Sequence, residues 1–147
     1  MAAWTDYAEN KIVDAVFRGQ PLNAPATFYA GLFTTVDNDA GTARVEVSGG
    51  SYARVAITSS LANWAGTQGA GTTVASSGTT GTTSNNAVIQ FAAPTANWGA
   101  IQGIGLFDAA TGGNEWVYGA LSTPKTVNGG DAAPSFAAAA LSFQIDN

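Results

Sequence analysis

From Thr27 onward the apolar residues come in short runs, each closed by Gly, Asn, Asp, Ser or Pro. This punctuation constrains the fold more than any other feature, because segments so short accommodate strands and leave no room for helices of several turns. "TFYAGLFTT" (27–35) is almost wholly apolar and reads as a strand buried on both faces. "ARVEV" (43–47) and "YARVAIT" (52–58) flank "SGG", the pattern of a hairpin. "AVIQFA" (87–92), "IQGIGLFD" (101–108), "EWVYGAL" (115–121) and "AAALSFQI" (138–145) continue the series. The expected architecture is mainly β, an antiparallel β-sandwich of jelly-roll type forming a single domain over 1–147.

One segment breaks the pattern. Within "DYAENKIVDAVFRG" (6–19), Ile12, Val13, Val16 and Phe17 share one face of a helix, and Gly19 with Pro21 closes it. The short N-terminal helix is predicted over 5–19, with Asp6 as N-cap and Glu9 at capping-box spacing. A second segment, 66–86, is rich in Gly, Thr and Ser. Val74 is its one aliphatic residue larger than Ala, too little to build a core. It reads as a surface excursion, or as an arm ordered against a neighbouring molecule. "GLF" (31–33, 105–107) and "ANW" (62–64, 96–98) each occur twice, without the fixed period of a repeat architecture.

Chemistry is limited by what is missing. The chain has no histidine and no cysteine. Triads built on histidine, thiolate chemistry and the usual zinc sites are therefore excluded. Five basic residues against ten acidic ones, with no basic run, argue against nucleic acid as a partner. No apolar segment reaches the length of a membrane-spanning helix, and the opening residues lack a signal-peptide core.

Three motifs with functional overtones reduce to structure. In "GIGLFDAATGGNEWVYGAL" (103–121), the Gly112–Gly113 pair is followed by Trp, Val and Tyr. A phosphate cradle needs a helix after its glycines, so this is a hairpin turn. "DND" (37–39) lacks the further ligands of a calcium loop at the required offsets. Asp108 and Glu115 flank one turn and form a carboxylate pair with no cleft between them, unlike a glycosidase pair. No catalytic, cofactor-binding or metal-binding residue is assigned, and the chain reads as non-enzymatic. The residues expected to contact a partner are Trp4, Trp64 and Trp98, together with Val74 on the excursion, since tryptophan is enriched at binding hot spots.

Four segments carry a family resemblance. They are "DYAENKIVDAVFRG", "EVSGGSYARVAI" (46–57), "TSNNAVIQFAAPTANWGAIQGIGLFDAATGGN" (83–114) and "YGALSTPKTVNGGD" (118–131). In order and spacing the chain resembles a family of small tailed-bacteriophage virion proteins, described either as head decoration (cement) proteins or as tail-fibre-like. It departs from that pattern in the Gly/Thr/Ser tract near 66–82 and in an alanine-rich ending. The resemblance implies a structural role in the virion and brings no catalytic or cofactor residue. The absence of heptads or a repetitive shaft favours a cement protein on the outer surface of the head. Its partners would be the major capsid protein and further copies of itself in a homo-oligomer. The alternative is a tail- or fibre-associated module that binds a host receptor or glycan.

Overall fold

The computed structural model of the chain describes residues 2–145. Ten strands and one helix follow in the order β1 (Ala2–Trp4), α1 (Asp6–Phe17), β2 (Thr27–Thr35), β3 (Val45–Glu46), β4 (Val55–Thr58), β5 (Thr82–Ser84), β6 (Ile89–Gln90), β7 (Gly99–Phe107), β8 (Glu115–Val127), β9 (Ser135–Phe136) and β10 (Ser142–Gln144). The chain is mainly β and every pairing is antiparallel. Six strands form one sheet, ordered β1-β8-β7-β2 with β3 and β4 both on the far edge of β2. The pairs β5–β10 and β6–β9 make two separate ribbons.

The ribbons close over one face of the sheet. Ala30, Leu32, Ile104, Leu106 and Val117 of the sheet share a core with Ile89, Phe91, Leu141 and Phe143 from the ribbons and their flanks. Alternation along β2 and β7 sends Phe33 and Phe107 to the other face, where their rings meet edge-on at 6.0 Å. Both "GLF" copies lie here on adjacent strands, with Gly31 opposite Gly105. These glycines make room for aromatic and charged groups above them. A Cβ on Gly31 would come within 2.9 Å of Glu46 Oε1, and one on Gly105 would strike the Phe33 ring and the Glu115 carboxyl.

The long hairpin follows the sequence reading. Gly112 and Gly113 adopt φ of 61° and 70°, and β8 rather than a helix follows them. Asp108 accepts hydrogen bonds from the amide and side chain of Asn114 (2.7 and 2.8 Å), which closes the turn. β8 runs on past 121 to Val127, beyond a register break opposite Ile101–Gly103.

The hairpin expected of 43–58 does not form. Gly49, Gly50 and Ser51 all have positive φ, and the resulting wide turn sets β3 and β4 end to end along β2 instead of side by side. Tyr52 fills the gap between them. Its hydroxyl accepts from the Leu32 amide (2.8 Å) and donates to Glu46 (2.9 Å), so the Leu32 amide is not stranded there.

The N-cap of α1 is Thr5 rather than Asp6. Its hydroxyl accepts from the Ala8 amide (3.4 Å) and donates to the Glu115 carbonyl (2.6 Å), fastening the helix root to β8. Asp6 and Glu9 fall instead in the first turn, where negative charge suits the helix dipole. The tract at 66–86 is also partly absorbed into the fold. Thr82–Ser84 form β5, and the side chain of Asn85 donates to Ala87 and Ala137 carbonyls and accepts from the Leu141 amide (2.7–2.9 Å).

Candidate interaction surfaces

The apolar face of α1 does not enter the core. Ala8 is its one buried residue, and Tyr7 packs edge-on against Trp116 at 5.6 Å. Further along, Val13, Val16 and Phe17 are 47%, 66% and 81% exposed. The amphipathic stripe expected from the sequence is present, and its distal residues face solvent. The helix is fastened at its root by Thr5 and Tyr7, and its distal half carries the stripe away from the sheet. Gly19, at φ 70°, then turns the chain back toward β2. Exposed apolar side chains at this spacing form a surface of the kind that marks contact sites.

A second apolar surface is a cleft of about 360 Å³ lined by Trp4, Phe28, Leu61, Trp64, Phe143 and Ile145. Trp64 tilts against Phe143 at 5.9 Å, while Leu61 and Ile145 stand exposed at the rim. Two of the expected contact residues, Trp4 and Trp64, thus meet in one place although sixty positions separate them in the sequence. Among the described residues the lining includes serine and threonine hydroxyls and no charged group.

The other two behave differently. Trp98 is a core residue, 5% exposed; its indole donates to the Gly50 carbonyl (2.9 Å) and meets Tyr52 edge-on. It pins the 49–51 turn to β7 and offers no surface to a partner. Val74 is exposed on the excursion. That excursion is tied to itself by its own polar side chains. Gln68 donates to the Ala75 carbonyl and Ser77 hydroxyl, Thr67 accepts from the Gly78 amide, and Thr72 accepts from the Gly66 amide (2.7–3.0 Å). Gly66, Thr67 and Ser76 form one wall of the tryptophan cleft.

The acidic motifs resolve into scaffolding. Asp37 Oδ1 accepts from the amides of Asn38, Ala43 and Arg44 (2.8–3.0 Å), and its Oδ2 pairs with Arg44 at 2.8 Å. Arg44 also reaches Glu115 at 3.2 Å. Burial in the first place, then the hydrogen bond and negative charge of Asp37, push the Glu115 carboxyl up to about 9. Burial also acts to raise Asp37, but hydrogen bonds from Glu115, Arg44 and the local amides outweigh it and hold Asp37 well below the usual carboxylate range. Arg54 lies 3.4 Å from the Phe107 ring centre, bridges to Glu46 at 2.7 Å, and donates to the Ala109 and Gly112 carbonyls of the hairpin turn. Asp108 closes that turn through its hydrogen bonds from Asn114. Asp6, Glu9 and Asp39 cluster on the surface at the root of α1.

The surface that sequence reasoning missed is the distal half of α1. Its signal was present in the order of residues: Val16 and Phe17 directly precede Arg18, Gly19 and Gln20 at the end of the helix, where no neighbouring element follows to cover them.

A family model described as podophage GP4 fiber I protein gp80 matches residues 3–144. The chain belongs to that family, and it is a structural protein of a tailed-phage virion. No curated protein matches it.

Proposed function

We propose that this chain is a non-enzymatic subunit of a virion fibre, and that it works by docking apolar surface onto neighbouring subunits. The observation that carries the reading is the exposed stripe of Val13, Val16 and Phe17 on a helix whose root is firmly attached. A monomer gains nothing from holding such a stripe in water, whereas a subunit of an assembly gains its burial. The family description names a fiber protein, which agrees with this use. The non-enzymatic part draws on the lack of histidine and cysteine and on the engagement of Asp37, Glu115 and Asp108 with structural partners.

The head-decoration reading draws on a different observation, a compact chain without heptads or a repetitive shaft. Electron microscopy of virions carrying a gold-labelled form of this chain separates the two. Label along fibres supports the fibre subunit. Label spread over the head replaces it with a decoration protein.

A further inference from the structure

The two apolar surfaces are unlike in shape. The end of α1 is a knob, with Phe17 81% exposed at its tip, and the Trp4/Trp64 cleft is a hollow. Trp4 lies immediately before the root of the helix. The twelve residues of α1 span about 18 Å at 1.5 Å each, so the knob stands roughly a helix length from its own hollow. A knob held on a rigid arm is suited to filling the hollow of another copy.

We propose that copies of this chain join head to tail, with the Val16–Phe17 knob of one seated in the Trp4/Trp64 cleft of the next. The chemistry of the cleft selects such an occupant. Among the described residues its walls carry no charged group, so a phosphate or carboxylate meets no cation there. Aromatic walls of Trp4, Trp64 and Phe143 favour an aromatic side chain. The cleft volume of about 360 Å³ accommodates a phenyl ring together with a valine.

The area involved fixes the strength. Val13, Val16 and Phe17 expose on the order of 300 Å² of apolar surface, the size at which a patch on a monomer marks a contact site. Seating it against a matching area of the cleft removes on the order of 600 Å² from two molecules together, below the area of a stable free dimer. The contact is therefore weak in dilute solution and becomes strong where the virion holds many copies at high local concentration. A knob and a hollow on different surfaces make a heterologous contact, which propagates as an open row or closes as a ring. The inference rests on the fibre reading only for its place in the virion, because the contact itself is tested on the purified chain.

The test is sedimentation velocity on the purified chain from about 10 μM to 1 mM, a range suited to weak contacts. The parent chain should form a series of oligomers that lengthens with concentration. Phe17→Ser should remain monomeric, and so should the rim variant Leu61→Asp; both residues are exposed, so each variant keeps the parent unfolding temperature. Mixed in equal amounts, the two variants still share one intact knob and one intact hollow. The mixture should form dimers and nothing larger. A parent chain that stays monomeric at 1 mM overturns the proposal. So does Leu61→Asp associating like the parent, which assigns the contact to helix against helix, or a mixture that stays monomeric. A lipid mass retained by the chain in native mass spectrometry, with monomers throughout, assigns the cleft to an acyl ligand and also overturns it.

Discussion

The distal half of α1 and the excursion 66–85 solve opposite problems. The helix carries valine and phenylalanine side chains and leaves them in water, while the excursion has almost nothing apolar and is nevertheless held in place. Order in this molecule therefore does not follow apolar content. Threonine, serine, glutamine and asparagine side chains, each bonded to backbone groups, hold the excursion against its own strands. Asn85 is the hub, 1% exposed, with its amide satisfied on both sides. The apolar residues of the helix remain free for use elsewhere. What separates the two regions is whether the monomer or the assembly supplies the partner.

The largest effect should come from removing that hub. Asn85→Ala leaves the buried Leu141 amide and the Ala87 carbonyl without their side-chain partner and leaves the Ala137 carbonyl only its bond from the Ala140 amide, at about 1–3 kcal/mol for a buried unpaired group. Chemical denaturation should show a loss of about 2–4 kcal/mol on that basis. A change below half a kilocalorie would mean that the β5–β10 ribbon holds the excursion without it.

Next comes pH, which sharpens the comparison because it acts at the root of the helix. Glu115, pushed up to about 9, is neutral in the folded protein and ionises at its ordinary value when unfolded. Its contribution is complete below the ordinary value and is lost as pH rises through about 9. Asp37 is depressed, so its contribution is present above its ordinary value and lost as pH falls below it. The thermal midpoint should therefore decline between pH 6 and pH 9, and the decline should be smaller in Glu115→Gln. Protection of amides relative to their intrinsic exchange rate at each pH should fall at Thr5–Glu9 over the same range and remain unchanged at 66–85. Equal loss of protection in both regions would show that they unfold as one unit.

A smaller effect is expected within the excursion. Gln68→Ala removes two exposed hydrogen bonds and should cost about 0.5–1 kcal/mol or less. Amide exchange should quicken from Gly66 to Thr80 while β7 and β8 keep their protection.

The same contrast shows what the sequence made legible. The strands at 27–35 and 101–108, the Gly112–Gly113 turn and the helix at 6–17 were readable because each depends on local periodicity or a local turn. The separation of β3 from β4 was not, since it depends on the Tyr52 hydroxyl finding Leu32 twenty positions away. Trp98 looked like a surface anchor until Gly50 supplied a partner for its indole. Trp4 and Trp64 were picked out by residue type, but their convergence in one cleft needed the tertiary fold. The helix stripe was visible as a stripe. Whether it faces the core or the solvent depends on where the sheet ends, and periodicity does not contain that.

The most direct measurement is the amount of this chain on purified virions assembled with a Val16→Ser, Phe17→Ser double variant, compared with the folded chain in the same lysate. Exposed substitutions should change monomer stability by about half a kilocalorie or less. The account predicts an unchanged unfolding temperature for the purified variant and at least a tenfold loss from the particles. Normal incorporation, or a variant that fails to fold, would contradict the claim that this face of the helix serves assembly rather than the monomer.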